Sequence, residues 1–190
     1  MLVGITALLA LLTVVVTGGR LGALADLRLR RAYLVGIALA AQVVVISIVP
    51  GSFDGLHKPV HIGTYVLLAA FLWSNRHVVG LPLIAAGAAT NAAAIFANHG
   101  VMPASASALA TAGMPADKAA EFANSAVVHH PHLAWLGDVF AVPASWPLSN
   151  VFSIGDVLIA VGVAVALHAL TGSRLATAAG TLRRRLAPAR

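Results

Sequence analysis

Asp138 and Asp156 are two aspartates of this chain that could do chemistry if the fold brought them close together. Two carboxylates that share a proton can serve as base and acid in the hydrolysis of a peptide or ester bond. Asp156 opens a long apolar run, so it could instead cap a helix by accepting backbone N–H bonds at the positive end. On the residues alone we favour capping or pocket lining over catalysis for Asp156.

A larger set of polar residues lies within or beside apolar segments, where polar groups are costly and often functional. They share a position in the outer half of their segments or in the adjoining loop, so we expect them to line an outward-facing pocket. Each one alone could instead form only a hydrogen bond between helices. The predicted ligand-binding residues are Gln42, His61, Asn91, Asn98, Asp138, Asn150 and Asp156.

Metal and cofactor chemistry is poorly supported by the residue types. The chain has no cysteine and eight histidines. The cluster His129-His130-Pro131-His132 matches no closed zinc pattern, although its nitrogens could join nearby aspartates as ligands. We therefore expect no metal and no cofactor.

The elements that must hold these residues are apolar. Hydrophobic residues make up 59% of the chain and charged residues 9%, against roughly 25% charged in soluble domains. The mean hydropathy is +0.91. So few charges cannot cover a protein surface in water, which excludes a soluble globule. We predict an all-α polytopic membrane helix bundle, with the lipid bilayer as its first partner.

A helix that crosses a bilayer needs roughly 20 mostly apolar residues. The sequence predicts five crossings within a single membrane domain over 1–190, with an outer lid at 98–151 and a basic tail at 172–190. In the lid, Ser105 to Ala112 predicts a short helix ended by Gly113, and Pro115 opens another. The crossings are placed near 1–17, 32–50, 59–74, 80–97 and 152–171.

Positive residues stay on the cytoplasmic side of a membrane, so their distribution predicts orientation. With five crossings, one side holds only Lys58 and Lys118. The other holds Arg20, Arg28, Arg30, Arg31, Arg76, Arg174, Arg183, Arg184, Arg185 and Arg190. The N-terminus is therefore expected outside and the C-terminus inside the cell membrane.

We interpret the basic tail as a membrane anchor and expect no nucleic-acid partner. A cleaved signal peptide is disfavoured, because Arg20 follows the first apolar run and no cation precedes it.

Several phrases together resemble an uncharacterised family of small bacterial membrane proteins, a domain of unknown function. The resemblance spans nearly the whole chain and implies a multi-span membrane fold with no established activity. This chain departs from the family pattern at His99 and Val101, where that pattern has Gly and Arg. The phrases are Gly18 to Leu21, Asn98 to Pro103, Leu136 to Asp138 and, most specific, Asn150 to Ile159.

The C-terminal part also shows a fainter resemblance to signal peptidase II, a membrane-embedded aspartyl protease of lipoprotein maturation. The last helix of that family starts with a Phe-Asn-x-Ala-Asp phrase, which Asn150 to Asp156 loosely echoes. The resemblance implies a catalytic Asp156 on the outer face. The family's other aspartate would fall at Ala94, three residues after Asn91, so only Asp138 could replace it.

Two hypotheses follow. In the first, the chain is a non-enzymatic membrane protein whose outward-facing pocket binds a lipid or small apolar molecule, or docks a membrane protein partner. In the second, Asp138 and Asp156 hydrolyse a lipid-linked or peptide substrate at the outer face. A transporter is less supported, because we find no repeat among the five segments.

Overall fold

Helices make up most of the part of the chain that the structure, a computed structural model, describes: residues 2–48, 54–114 and 125–177. The predicted mostly helical character is confirmed. The helices are α1 (Leu2–Val16), α2 (Tyr33–Ile48), α3 (Asp54–Ser74), α4 (Leu81–Ala97), α5 (Ala106–Thr111) and α6 (Ile154–Thr171). The short strands are β1 (Met102–Pro103), β2 (Ser125–Ala126), β3 (Phe140–Val142) and β4 (Asn150–Phe152).

Contacts between Cα atoms divide the chain into two compact units, and the single membrane domain over 1–190 stays a prediction. One unit contains residues 1–27 and 78–190, and the other contains residues 28–77. The first unit therefore holds α1, α4, α5, α6 and all four strands. The second unit holds α2 and α3.

In the second unit, α2 and α3 form an antiparallel hairpin whose ends are joined by one side chain. Asn75, fully buried just after α3, accepts a hydrogen bond from the Arg30 backbone N–H at 2.8 Å. Its amide nitrogen donates to the carbonyls of Arg30 and Phe71, both at 2.8 Å. The Asn75 amide thus pairs with Arg30 as a neighbouring peptide group would, and it ties the entry of α2 to the end of α3.

In the first unit, α4 and α6 run antiparallel with their backbones in close contact. A methyl group added at Gly162 would lie 2.8 Å from the Ile84 nitrogen and 2.9 Å from the Gly80 carbonyl oxygen. One added at Gly87 would overlap the Gly155 carbonyl. Small residues permit this approach, and residues 85–94 of α4 are mostly alanine and glycine.

Among the described residues, α6 is the helix that is long and apolar enough to cross a membrane, with 18 residues and a hydropathy of 2.0. Three further apolar segments, α1, α4 and residues 62–74 of α3, fall below 18 residues. The prediction of five crossings therefore goes beyond what helix length and composition establish.

The segment between α4 and α6 folds into a small structure that we call the cap, the described residues of 98–151. Strand β1 pairs with β2 in parallel, and β3 pairs with β4 in an antiparallel hairpin. An isolated bridge joins Ala104 to Asp138. The buried side chains that hold these pieces together are Ala104, Ala108, Leu109, Ala112 and Val151.

The local signals read from the sequence of the cap are confirmed where the structure describes them. The Ser105 side chain caps α5 by accepting a hydrogen bond from the Ala108 N–H. Gly113, two residues after the end of α5, has a φ of +67°, which favours glycine. The second helix predicted from Pro115 lies outside the described residues.

Candidate functional site

Three polar side chains meet where α4 packs against the start of α6. The Asn91 amide nitrogen of α4 donates to Asp156 Oδ1 at 2.9 Å. The Ser153 hydroxyl donates to Asn91 Oδ1 at 2.8 Å. We call Asn91, Ser153 and Asp156 the interhelical network. Ser153 is fully buried, and Asn91 and Asp156 are half-buried.

Ser153 and Asp156 also cap α6. The Asp156 N–H donates to Ser153 Oγ at 3.0 Å, and the Ser153 N–H donates to Asp156 Oδ2 at 3.1 Å. This reciprocal pair is a capping box, which satisfies backbone donors that the first turn of a helix leaves open. Both oxygens of the Asp156 carboxylate therefore accept hydrogen bonds from the protein, as the capping interpretation of Asp156 requires.

The glycine before Asp156 makes room for this network. A side-chain carbon at Gly155 would overlap the Asn91 amide and would lie 2.7 Å from the Gly87 carbonyl oxygen. Asn91 can reach Asp156 only because α6 presents no side chain at position 155. The phrase from Asn150 to Asp156 therefore has three structural roles. Its first three residues form β4, Ser153 caps α6, and Gly155 lies against α4.

Asn98 occupies the end of α4 and fastens the cap to it. Its amide nitrogen donates to the carbonyls of Ala94 at 2.8 Å and His132 at 2.7 Å. Its oxygen accepts from the His132 N–H at 2.9 Å. Asn98 is buried and uses both groups of its amide, so it pairs with His132 as Asn75 pairs with Arg30 in the other unit.

The remaining predicted site residues lie elsewhere. Asp138 is buried in the cap, where its backbone N–H donates to Pro103 and its carbonyl accepts from the Ser105 N–H. Asn150 lies in β4 opposite Val142. Gln42 and His61 lie on α2 and α3 of the second unit, and their side chains are outside the described part. The structure thus brings Asn91 and Asp156 together, with Ser153, while Asn98 bonds separately to His132.

No group of three or more His, Asp or Glu side chains able to hold a metal ion is found in the described ranges. His129, His130 and His132 are exposed on the cap. The expectation of no metal and no cofactor stays a prediction.

Residues 26–168 match a family of unknown function, DUF5317. The chain belongs to this family. Three of the sequence phrases that indicated an uncharacterised family lie within 26–168. The match confirms that resemblance. It assigns DUF5317 no activity and gives no support to the likeness to signal peptidase II. No curated protein and no solved structure matches the chain.

Sequence reasoning missed a second polar cluster in this DUF5317 chain, at the far ends of α1 and α6. His168 Nδ1 lies 2.8 Å from the hydroxyl of Ser173, and its Nε2 lies 3.1 Å from the hydroxyl of Thr13. Ser173 is fully buried. Sequence reasoning also missed Asn75. Its position directly after an apolar helix was the one feature of the sequence that could have marked it as a capping or bridging residue.

We predict that Asn91→Ala lowers the free energy of unfolding by about 2 kcal/mol. A hydrogen bond to a carboxylate contributes about 1.5–3 kcal/mol, whereas an ordinary bond between membrane helices averages about 0.6 kcal/mol. The measurement is equilibrium unfolding in mixed micelles with increasing sodium dodecyl sulfate. The matched control is Thr90→Ala, because the Thr90 hydroxyl bonds only to the Gly87 carbonyl of its own helix. Equal losses for the two variants would refute a stabilising interhelical network.

Proposed function

We propose that this DUF5317 protein is a multi-pass protein of the cell membrane that acts without catalysis and binds lipid through its cap. Helices α1, α2, α3, α4 and α6 cross the bilayer, with the N-terminus outside and the C-terminus inside. The cap then lies at the outer surface. The observation that carries this proposal is that large apolar side chains of the helices are exposed while several polar side chains are buried, the reverse of a soluble protein.

Large apolar side chains of the helices are exposed, and several polar side chains are buried. Val16 is 84% exposed, and Leu39 and Val66 are each 62% exposed. Only 28% of α6 is buried, whereas the core helix of a soluble protein would be mostly buried. Lipid tails are the solvent that makes such a surface favourable. The buried polar residues are Thr64, Asn75, Asn98, Asp138, Ser153, Thr171 and Ser173.

The lengths of the helices are compatible with crossing a thin bilayer. At 1.5 Å per residue, helices of 15 to 17 residues such as α1, α2 and α4 are about 22–26 Å long, against roughly 30 Å for the hydrocarbon core. A short crossing is accommodated by local thinning at a cost of a fraction of a kcal/mol per Å. Length therefore does not exclude these helices as crossings.

Helix directions within each unit support the predicted order of crossings. The ends of α1 and α6 meet at Thr13 and His168, so these two helices are parallel, and α4 is antiparallel to α6. In the other unit α2 and α3 are antiparallel, because Asn75 bonds to Arg30. Five crossings that start outside require these relative directions.

The cap has an apolar surface that fits the boundary of a membrane. Trp135 and Trp146 are 68% and 67% exposed, and Phe140 and Leu148 are also exposed. Tryptophan favours the interface between lipid and water. Asn98 holds the backbone at His132 against the end of α4, three residues before Trp135. If α4 crosses the membrane, Trp135 lies close to the level of its outer surface.

A non-enzymatic role is supported by the contacts of Asp156. Its two carboxylate oxygens accept hydrogen bonds from Asn91 and Ser153, and these bonds contribute to helix capping and helix packing. A structural role thus accounts for Asp156 without a reaction. A small apolar ligand or a membrane protein partner on the cap would be an alternative to lipid.

The experiment is quenching of tryptophan fluorescence by brominated phosphatidylcholine in vesicles that contain the full-length protein. The variant Trp73→Phe leaves Trp135 and Trp146 as reporters of the cap. We expect strong quenching of this variant, because bromine quenches only at contact distance. The control, with both cap tryptophans changed to Phe, retains Trp73, which is 69% exposed at the end of α3. Quenching of the control but not of Trp73→Phe would show that water or another partner, not lipid, covers the cap.

A further inference from the structure

A short sequence repeat occurs at the ends of α1 and α6. Thr17-Gly18-Gly19-Arg20-Leu21 follows α1, and Thr171-Gly172-Ser173-Arg174-Leu175 ends α6. We call these the two TGxRL segments. Both lie outside the residues that match DUF5317.

The two segments have similar local structures. Gly18 and Gly172 have φ values of +75° and +65°, so each glycine ends its helix in the left-handed conformation. The hydroxyls of Thr17 and Thr171 both donate to the carbonyl four residues earlier, at 2.7 Å. The repeated residues therefore encode the same helix ending twice.

The two endings are joined by a reciprocal pair of backbone hydrogen bonds. The Arg20 N–H donates to the Thr171 carbonyl at 2.9 Å, and the Arg174 N–H donates to the Thr17 carbonyl at 3.1 Å. Gly19 is needed at this contact, because a side-chain carbon there would lie 2.8 Å from the Thr171 hydroxyl. The backbone exchange holds Arg20 opposite Thr171 and Arg174 opposite Thr17, so both arginines belong to one joined pair of helix endings.

The arginine side chains are not used by this arrangement. The Thr17 and Thr171 carbonyls receive backbone donors, so neither guanidinium is required to cap a helix. Arg20 and Arg174 are exposed, and no carboxylate of the described residues pairs with either. The Arg174 Nε lies 3.8 Å from the position that a side chain at Gly18 would occupy. The guanidinium therefore extends over the other segment.

We propose that Arg20 and Arg174 form a binding site for a phosphate group, and that its source is the phosphodiester of an anionic lipid. Guanidinium groups match phosphate geometry with parallel N–H donors. This end of α6 is the end that the proposed topology places at the inner surface, where anionic lipids attract cations. The lipid source thus rests on the proposed function, whereas the phosphate chemistry does not.

The test measures binding to the full-length protein in nonionic detergent, with phosphatidylglycerol and inorganic phosphate titrated separately. Native mass spectrometry gives the lipid affinity, and isothermal titration calorimetry gives the phosphate affinity. The test variant is Arg20→Gln with Arg174→Gln. It should fold normally, because the reciprocal bonds use backbone atoms. The control is Arg28→Gln with Arg30→Gln, which removes the same charge from exposed arginines.

We expect the test variant to bind phosphatidylglycerol about 25-fold more weakly, since each cation at a membrane surface contributes about a fivefold factor. The control should weaken binding less than about threefold. A loss for inorganic phosphate without a loss for phosphatidylglycerol would support the arginine site but overturn the lipid as its source. Equal effects of the two double variants, or no binding of either probe, would overturn the proposal. Measurement in detergent does not depend on orientation in the membrane, so failure here leaves the topology test intact.

Discussion

Gly155→Ala should lower the free energy of unfolding by about 3 kcal/mol, near the upper end for overpacking a tight interface. The added methyl group would overlap the Asn91 amide and would lie 2.7 Å from the Gly87 carbonyl oxygen. Because one neighbour is backbone, rotation of a side chain cannot relieve the contact. The variant must either separate α4 from α6 or break the Asn91 to Asp156 hydrogen bond.

The matched control is Gly63→Ala, in the middle of α3. Among the described residues, no atom outside the local backbone lies within 4 Å of the position that the new methyl group would take. Alanine is the better helix former, so this variant should gain about 0.5–1 kcal/mol. Both variants are compared by unfolding in mixed micelles. If Gly155→Ala proves as stable as the unmodified protein, the close packing of α4 on α6 is wrong.

Asn98→Ala should detach part of the cap from α4 while the helices stay folded. The side chain makes three hydrogen bonds in a buried place, two of them to the backbone of His132. Their loss leaves the buried Ala94 carbonyl and the part-buried backbone groups of His132 without this partner, and a buried unsatisfied group costs about 1–3 kcal/mol. We expect an overall cost of about 3 kcal/mol, confined to the cap. Hydrogen exchange should then become roughly 100-fold faster at the His132 amide.

His132→Ala serves as the control for this variant. Asn98 bonds only to backbone atoms of His132, whose side chain is exposed. The control should therefore keep slow exchange at position 132. Fast exchange in both variants would mean that the histidine side chain also holds the cap, whereas slow exchange in Asn98→Ala would contradict the role of the Asn98 amide.

Local features of the fold were predictable because a few neighbouring residues determine them. The short helix α5 follows from Ser105 and Gly113, and capping by Asp156 follows from its place at the start of an apolar run. The bounds of the longer helices agree with the predicted segments to within five residues. Three of the predicted segments, 1–17, 32–50 and 80–97, form helices of only 15 to 17 residues, which is shorter than the roughly 20 residues of a full crossing.

The partners of the polar residues were not predictable in the same way. Whether Asn91 meets Asp156 depends on the register between two antiparallel helices, which Gly87 and Gly155 fix by close contact. Of the residues expected to line one pocket, Asn91 bonds to Asp156 and Asn98 bonds to His132, and the shared pocket stays a prediction. Asn98 and Asn75 bond to backbone atoms of residues far away in the sequence. Every residue has such backbone groups, so the sequence does not indicate which of them an asparagine will meet. The TGxRL segments, by contrast, were visible in the sequence.

The orientation of the chain in the membrane is tested most directly by single cysteines, because the protein has none of its own. Gly22→Cys lies in the loop after α1, where a side chain meets no other atom within 4 Å. Ser145→Cys lies at an exposed position of the cap and changes only the hydroxyl to a thiol. Both are treated with a membrane-impermeant maleimide on intact cells and on permeabilised cells. We predict that Ser145→Cys reacts in intact cells, whereas Gly22→Cys reacts only after permeabilisation. Equal reaction of the two cysteines in intact cells would contradict the three crossings, α2, α3 and α4, that the proposed topology places between them.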